Sequence, residues 1–590
     1  MSTSFSGLSA KQRTTYLQEM SQKQLDLLVV GGGITGAGIA WDAASREMLV
    51  GLLEMNDFAS GTSSRSTKLI HGGLRYLKQG EIGLVREVGQ ERDLLHRSAP
   101  HLVEPIPMLL PVYKRGTYSY LASSIGLYLY DKLAGVKPQE RRKMFRREET
   151  LSLEPLFRKE GLKGSGYYYE YRTDDARLTM EVMKSARAKG AIVASYAKVM
   201  EFIYRGGKVI GVRAMDRMSG KNYEIFAKVI VNAAGPWVDQ VRQMDQSLHG
   251  KRLLLTKGIH LVVDHTKLPI SQAAYFDVPG GRMIFAIPRD GKTYIGTTDT
   301  VYEGALETPG ITDEDRRYLI DAVNAAFPDA VLGVHDIESG WAGIRPLVRE
   351  EGKNPSEVSR KDELFSSDSG LITIAGGKLT GFRKMAERVV NMVAKHFQDT
   401  NGAIYPPCTT NRAHISGGDM EGLSLHQFQE ILTKQGRMLG IQSNDILKLI
   451  SRYGANTKEI LRIFRVVPRE ETTELTLLRA EISYSIEHEM TLTALDFLLR
   501  RTGWVLFDRQ RTERCAVPLM EMMGEMLDWN SEEKQRQWMI LQDLLEMTWG
   551  IAESSRSEGD SRYFDHEDRH DELMAREKPH DDSIISATHS

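Results

Sequence analysis

Residues 25–40 read LDLLVVGGGITGAGIA, and this stretch decides the fold. Its first six residues form an apolar run typical of a buried strand, and from the glycines onward the apolar residues recur with helical periodicity to about residue 46. A second apolar run, LVGLLE at 49–54, ends in Glu54. Strand, helix and second strand form one βαβ unit, which predicts an α/β, Rossmann-like domain.

A dinucleotide-binding pattern lies between that strand and helix. Gly31, Gly33 and Gly36 form G-x-G-x-x-G, which is called the fingerprint below, and Glu54 follows eighteen positions after Gly36. The first glycine permits a tight turn, the second lets the backbone approach a pyrophosphate, and the third allows helix and strand to pack closely. The helix N-terminus attracts phosphate, and Glu54 can accept a hydrogen bond from a ribose hydroxyl. Together these features favour a dinucleotide site over a purely structural glycine turn.

Length and composition predict several globular domains. At 590 residues the chain is too long for one core, and its net charge of −2 offers no basic field to nucleic acid. Cys408 and Cys515 lie far apart in sequence, which suggests a reducing compartment. The N-terminus lacks a secretion signal, and no apolar run is long enough to span a membrane. We therefore expect a cytosolic protein that can still lie on a membrane surface.

The remaining sequence predicts two further kinds of structure. Further strands are expected at 228–235, 258–264, 282–288, 293–299 and 371–377, and their number indicates a mixed or antiparallel sheet beside the parallel one. Residues 410–550 have helical periodicity and are predicted to form a separate all-helical domain. Residues 553–590 hold eleven acidic against five basic residues, which predicts a disordered acidic tail. Its four histidines lack metal-ligand spacing, and we predict no metal site.

The polar segment GTSSRSTKLIHGGLRYLKQG at 61–80 favours FAD over NAD. Thr62, Ser63 and Ser64 can donate to phosphate and ribityl oxygens of an extended cofactor. Gly72 and Gly73 would let the backbone lie against a flat ring, where any Cβ would collide. The alternative is a solvated loop with a helix start at HGGLRY.

Several motifs resemble one family. Eight motifs follow the fingerprint in an order similar to that of the bacterial FAD-dependent glycerol-3-phosphate dehydrogenases. They are GTSSRSTKLIHGGLRYL, YRTDDARLTMEVMKSA, VNAAGPWVD, TKGIHLVV, IGTTDT, WAGIRPLV, SRKDELF and AGGKLTGFRKMAE. TALDFLLRRTGW at 493–504 resembles that family's helical C-terminal domain. The resemblance implies oxidation of sn-glycerol 3-phosphate to dihydroxyacetone phosphate, with hydride transfer to FAD and electrons passing to a membrane quinone.

The resemblance also implies how the chain divides. The FAD-binding domain would comprise 20–80, 190–260 and 335–400. A substrate-binding cap would comprise 81–189 and 261–334. The expected partners are the substrate, quinone and an anionic membrane on the inner face of the cell membrane. A homodimer is left open.

Site residues follow from the matched motifs. Arg75, Arg345 and Arg360 are expected to line the substrate pocket, because guanidinium groups suit a phosphate. We favour His71 narrowly as the base that takes the substrate's hydroxyl proton, with His260 orienting the substrate and Thr297 as a weaker contact. Each could instead have a structural role. The remaining expected cofactor contacts are Lys68, Leu74, Val199, Gly235, Trp237, Gly377, Lys378, Leu379 and Thr380. Of these, Lys378 is also expected to bind substrate and to stabilise the reduced flavin, together with the N-terminus of the following helix.

A helix at about 120–134 is a candidate membrane contact. Its apolar residues are expected to lie on one face, and basic residues flank it. The apolar residues are Leu121, Ile125, Tyr128, Leu129 and Leu133, and the basic ones are Lys114, Arg115, Lys132, Lys137, Arg141, Arg142, Lys143, Arg146 and Arg147. Such a helix suits an anionic lipid surface. The alternative is a core-facing helix beside a solvated basic loop.

Three other functions remain open from the sequence. An oxidase would use oxygen in the same hydride step and release hydrogen peroxide, although oxygen-using relatives tend to carry an insertion in the middle of the chain that is absent here. A redox sensor or scaffold would bind FAD without turnover, but the many expected cationic pocket residues argue against it. An amine or amino-acid oxidase would share the fold.

Overall fold

A computed structural model describes residues 7–71, 81–114, 116, 118–278, 281–350 and 361–553. The predicted contacts Gly72, Gly73, Leu74, Arg75 and Arg360 lie outside the described residues, as do Arg115 and the tail from residue 554.

The described helices are, in chain order, α1 (Arg13–Gln22), α2 (Ile34–Ser45), α3 (Ile82–Ser98), α4 (Tyr120–Ala134), α5 (Arg147–Leu153), α6 (Asp175–Ala188), α7 (Val238–Met244), α8 (Asp313–Ala326), α9 (Phe382–Asn401), α10 (Leu425–Met438), α11 (Ser443–Tyr453), α12 (Thr457–Val466), α13 (Thr473–Glu489), α14 (Trp504–Phe507), α15 (Arg509–Met526) and α16 (Ser531–Glu553). A π-helical segment, Asp496–Arg501, precedes α14.

The described strands are, in chain order, β1 (Gln24–Val30), β2 (Val50–Leu53), β3 (Leu69–Ile70), β4 (Glu104–Tyr113), β5 (Lys143–Arg146), β6 (Leu162–Arg172), β7 (Ile192–Ala194), β8 (Ala197–Arg205), β9 (Lys208–Asp216), β10 (Asn222–Asn232), β11 (Lys251–Asp264), β12 (Ala273–Val278), β13 (Arg282–Arg289), β14 (Lys292–Gly296), β15 (Thr300–Val301), β16 (Ile337–Glu350), β17 (Asp362–Ser366) and β18 (Ile372–Gly376). A strand occurs at every position predicted for one.

The first sheet carries the fingerprint. Its order is β17-β18-β10-β1-β2-β7, with β9 pairing β10 and β8 pairing β9. The pairs between β18 and β7 are all parallel, and β1 lies between β10 and β2. Helix α2 packs on this sheet, α6 and α9 pack on α2, and all three contribute to its core. The buried stripe of α9 contains Phe382, Met385, Val389 and Val393, as its periodicity predicts.

The second sheet is mixed and nearly all antiparallel. Its order is β15-β11-β14-β13-β12-β4-β6-β3, with β16 on β11 and β5 on β6. Only the β12–β4 pair is parallel among the described pairs. The predicted fold class is therefore confirmed: a Rossmann-like parallel sheet stands beside a mixed sheet.

Several elements do not follow the predicted domain boundaries. Strand β16 and much of β11 fall within segments predicted for the FAD-binding domain, yet they pair with each other in the second sheet from Lys251 to Glu350. Strand β3 also pairs there, with β6. Conversely, α6 falls within the predicted cap but packs on α2 in the first core. Apolar periodicity shows which face of an element is buried, but not which of the two cores buries it. The sequence could therefore not assign these elements to a core.

The C-terminal part is helical, as predicted. Helices α10–α16 build two apolar clusters of their own, one around Phe428 and Leu449 and one around Phe497 and Leu519. Within the described residues, none of the helices combines the length and the apolar character of a membrane span.

Helix α4 has an outward-facing apolar surface. It packs inward through Leu127, Tyr130 and Ala134. Leu121 is 70% exposed and Ile125 52% exposed, and Tyr128 and Leu129 beside them are also exposed, whereas Leu133 is half-buried. The core-facing alternative therefore does not account for most of this apolar stripe.

Candidate active site

A cavity of about 830 Å³ is lined by both sheets. Gly31, Gly33 and Glu54 line it where β1 and β2 end, which is the edge at which open parallel sheets bind ligands. His260 and Arg345 line it from the second sheet. The cavity therefore joins the predicted nucleotide site to predicted substrate residues.

The fingerprint glycines are required sterically. Gly31 has a φ of +116°, and a Cβ there would stand 2.6 Å from the Ala233 carbonyl oxygen. A Cβ on Gly36 would stand 1.9 Å from the Gly31 carbonyl oxygen. Gly36 does not line the cavity, so its role is the close packing of α2 on β1. Gly33 lines the cavity and precedes the first turn of α2.

Glu54 organises the end of β2. Its carboxylate accepts hydrogen bonds from the backbone N–H of Gly32 at 2.7 Å and of Asn56 at 2.9 Å. Burial raises the pKa of Glu54, and these two hydrogen bonds oppose that rise. The residue lines the cavity, so it is in place to accept a hydrogen bond from a ribose hydroxyl.

The three hydroxyl-bearing residues at 62–64 differ in where their side chains lie. Thr62 and Ser63 line the cavity. Thr62 donates to the Ile344 carbonyl at 2.7 Å, and Ser63 Oγ accepts from the Ile34 N–H at 2.9 Å. Ser64 is buried and does not line the cavity.

Lys68 is held by contacts within the protein. Its ammonium group donates to Asp175 at 2.6 Å and to the Ser64 carbonyl at 3.0 Å, and it does not line the cavity. Asp175 is fully buried, so its carboxylate requires a cationic partner. This pairing gives Lys68 a structural partner within the protein.

The turn before α9 reaches the cavity as expected. Gly377, Lys378, Leu379 and Thr380 all line it. Thr380 Oγ1 donates to the His71 carbonyl at 3.3 Å and accepts from its N–H at 3.2 Å, which ties the two segments together. His71 lines the cavity there.

Three further predicted cofactor contacts, Val199, Gly235 and Trp237, line the cavity. The Trp237 indole donates to the Glu307 carboxylate at 3.0 Å, so its ring is fixed in orientation.

Arg345 is held by the segment that connects β14 to β15. It donates to Thr297 Oγ1 at 2.8 Å and to the Thr298 carbonyl at 3.2 Å, and it lies 3.5 Å from an Asp299 carboxylate oxygen. Thr297 and Arg345 both line the cavity. The guanidinium group is thus oriented at the cavity wall, where a fork of N–H donors suits a phosphate.

His260 is a buried, neutral imidazole. Its ring stacks on Trp341 with a centroid distance of 4.7 Å, and Nε2 lies 3.0 Å from Thr67 Oγ1. Burial, with Arg345 and Lys68 nearby, keeps the pKa of His260 well below its ordinary value. Nδ1 is buried and has no hydrogen-bond partner among the described residues.

Several cavity residues were not predicted from the sequence. Arg65 lines the cavity, and burial lowers its pKa to about 10. Its guanidinium donates to the Glu307 carbonyl at 3.2 Å. Tyr275 and Phe285 stack at 4.2 Å on the second-sheet side. Arg65 could have been found, since it lies within the hydroxyl-rich segment, whereas nothing local distinguishes the two aromatic residues from core.

These residues fit FAD. A volume of about 830 Å³ is typical of a large ligand site. One end offers the glycine turn, the N-terminus of α2 and a buried carboxylate, which are suited to an ADP group. The other end offers the turn at 377–380 and the histidines. In the described part of the chain, no cluster of three or more His, Cys, Asp or Glu side chains is arranged to hold a metal. Fold and site thus define an FAD-dependent oxidoreductase.

Comparison with known proteins agrees with that class. The family described as FAD dependent oxidoreductase matches residues 26–383, and the C-terminal domain of alpha-glycerophosphate oxidase matches 408–534. The aerobic glycerol-3-phosphate dehydrogenase of Bacillus subtilis (strain 168) is 51% identical over 541 residues, covering 91% of this chain and 97% of its own. The enzyme of the same name from Staphylococcus aureus (strain USA300) is 49% identical over 526 residues, covering 89% and 94%.

A solved structure agrees as well. The glycerol-3-phosphate dehydrogenase of Bacillus halodurans, complexed with FAD, superposes with a TM-score of 0.79 at 46% identity, covering 91% of this chain and 98% of that one. The chain belongs to the aerobic glycerol-3-phosphate dehydrogenases, and its cofactor is FAD.

Proposed function

We propose that this chain oxidises sn-glycerol 3-phosphate to dihydroxyacetone phosphate and that the electrons pass to a membrane quinone. The observation that carries the proposal is the shared cavity. It brings Arg345 and His260 of the second sheet together with the fingerprint and the 377–380 turn. An adenine dinucleotide and a small anionic substrate can therefore occupy adjoining parts of one space.

Arg345 is the proposed anchor for the substrate's phosphate. Its contacts with Thr297, Thr298 and Asp299 orient the guanidinium before substrate arrives. Charge-assisted hydrogen bonds in such a partly buried site contribute about 1.5–3 kcal/mol each. Lys378 lines the same cavity and is proposed to add positive charge where the reduced cofactor carries negative charge.

His71 is the proposed base, with His260 orienting the substrate hydroxyl. The backbone bonds to Thr380 hold His71 beside the turn that faces the cofactor. His260 remains neutral at physiological pH because burial lowers its pKa, so its ring can accept a hydrogen bond. Bound FAD supplies the hydride acceptor for the substrate's C2.

An anaerobic reduction tests this function. Purified FAD-loaded protein is mixed without oxygen with glycerol 3-phosphate and, separately, with glycerol. We expect glycerol 3-phosphate alone to bleach the flavin absorbance rapidly. If neither compound bleaches it, the proposed substrate is wrong.

Reoxidation then identifies the electron acceptor. We expect a soluble quinone analogue to restore the flavin absorbance with little peroxide formed under air. Stoichiometric hydrogen peroxide with poor reduction of the quinone analogue would instead identify an oxidase. The homodimer stays a prediction that the mass of the protein in solution tests.

We also propose peripheral attachment to an anionic membrane through α4, at the inner face of the cell membrane. The exposed residues Leu121 and Ile125 would enter the lipid interface. Tyr128 lies beneath the Lys132 ammonium group at 5.8 Å and the Arg142 guanidinium at 5.6 Å from its ring centroid, so apolar and cationic groups adjoin. Such attachment would bring the enzyme to its quinone.

Vesicle sedimentation tests the attachment. We expect the full chain to sediment with phosphatidylglycerol vesicles, and the variant Arg141→Gln/Lys143→Gln/Arg146→Gln to lose most of that binding, because each basic residue near the surface contributes about 1 kcal/mol. The matched control is Lys434→Gln/Lys458→Gln in the helical domain, where both lysines are exposed. Equal sedimentation of the two variants would contradict the proposal.

A further inference from the structure

Two consecutive arginines of the helical domain reach the nucleotide-binding domain. Arg501 makes a bidentate contact with the Asp57 carboxylate, at 2.7 and 2.8 Å, and Arg500 Nε donates to the same carboxylate. All three side chains are buried, Asp57 completely. The two arginines belong to the 493–504 motif, which the proposed reaction does not use, and Asp57 lies in the loop that follows β2.

The arginines are themselves fixed. They end the π-helical segment, in which Asp496 accepts from Arg500 and from the Tyr196 hydroxyl, each at 2.7 Å. Arg501 also donates to the Glu489 carbonyl at 2.8 Å. Burial alone would raise the pKa of Asp57, but the two guanidinium groups hold it below its ordinary value, so the carboxylate is charged. The helical domain therefore presents a rigid pair of cations to Asp57.

Asp57 lies in a loop that wraps around the fingerprint. Glu54, at the start of the loop, accepts from the Gly32 N–H at 2.7 Å. Ala59, at its end, donates to the Gly32 carbonyl at 3.1 Å. The Phe58 ring covers the same glycine, where an added Cβ would stand 2.8 Å away. The loop therefore fixes both the backbone of the glycine turn and the carboxylate that faces the cavity.

We propose that Arg500 and Arg501 are positioning residues for FAD. Through Asp57 they hold residues 54–59 in the arrangement in which Glu54 and the glycine turn bind the adenosine half of the cofactor. Within the described residues, no residue beyond Met385 lines the cavity, and Asp57 does not line it either. The helical domain thus sets cofactor affinity without contacting the cofactor.

The test measures binding to the full-length apoprotein. Arg501→Gln is titrated with FAD and with ADP, which lacks the flavin half. We expect both dissociation constants to rise by the same factor, at least tenfold, and Arg501→Lys to recover part of the loss. The matched control is Arg452→Gln, because Arg452 is a largely buried arginine of the helical domain that pairs with Glu481. Its FAD and ADP affinities are expected to stay within twofold of wild type.

Thermal unfolding of the apoproteins separates positioning from general destabilisation. We expect both glutamine variants to unfold at lower temperature, but only Arg501→Gln to lose affinity for FAD and ADP. If Arg501→Gln loses thermal stability yet binds both ligands normally, or if FAD binding weakens while ADP binding does not, the proposal is overturned. If Arg501→Gln fails to fold, the double variant Asp57→Asn/Arg501→Gln is used instead, because it removes the opposite charges together. Normal binding of both ligands, or weaker binding of FAD alone, would again overturn the proposal.

Discussion

Among single side chains, Arg345 is expected to control substrate binding. We predict that Arg345→Ala raises the KM for glycerol 3-phosphate by about one to two orders of magnitude, since one charge-assisted contact is worth about 1.5–3 kcal/mol. FAD content should stay near normal. Steady-state kinetics and the flavin-to-protein absorbance ratio measure the two quantities. Loss of flavin instead would show that Arg345 supports the cofactor and not the substrate.

Substitution of His71 should affect kcat more than it affects substrate binding. We predict that His71→Asn lowers kcat by about 10² to 10⁴, the usual contribution of a general base, with FAD still bound. His260→Asn is the comparison, and it should mainly raise KM. If the two variants exchange these effects, the assigned roles are reversed.

Among the helices and strands, the contact between α2 and β1 leaves no room for a side chain. We predict that Gly36→Ala yields protein with little FAD and a lowered unfolding temperature, since a Cβ would stand 1.9 Å from the Gly31 carbonyl oxygen. Overpacking of this kind costs about 1–3 kcal/mol. The matched control is Gly83→Ala in α3, where a Cβ meets nothing within 4 Å. Normal flavin content in Gly36→Ala would contradict the packing role.

The elements also show what a sequence can predict. Strands, the α9 stripe and the fingerprint follow from patterns only a few residues long, and all were predictable. The core that each element joins depends on distant partners. Strand β11, for example, has an ordinary apolar pattern, and only its pairing with β16 places it in the second sheet. Helix α6 likewise joins the first core through α2.

For the protein as a whole, His101 links stability to pH. Its ring is buried against Gly417 and Gly454, and neither ring nitrogen has a hydrogen-bond partner among the described residues. Burial, with Arg177 and Lys184 nearby, lowers the pKa of His101 to about 3. The unfolded chain, with a pKa near 6.5, binds a proton that the folded chain does not, so stability falls as pH drops below about 6.5.

Replacing that histidine should reduce the acid sensitivity. We predict that between pH 7.5 and pH 5 the wild-type protein loses about 2 kcal/mol of stability through His101, and that His101→Phe retains it. Differential scanning calorimetry at the two pH values measures the change. His414→Phe is the control, because His414 is exposed. An equal drop in unfolding temperature for wild type and His101→Phe would refute the assignment.

Charged side chains were the least predictable part of the site. Lys68 lies in a motif that suggests cofactor binding, yet its partner Asp175 is 107 positions away. Asp57 and Arg501 are separated by 444 positions. A buried charge is satisfied by whichever opposite charge the fold brings to it, and no local pattern records that partner. The fingerprint glycines, in contrast, were predictable because their spacing is a short local pattern, although the atoms that exclude a Cβ at Gly31 belong to Ala233 and Ala234.

The cavity wall draws on residues from Val30 to Met385. A ribosome adds about 5–20 residues each second, so roughly 20–80 s of translation pass before the last part of this wall has been synthesised. Cofactor capture therefore belongs to the late phase of biosynthesis. Until residue 385 has been synthesised, the wall that surrounds the cofactor is incomplete.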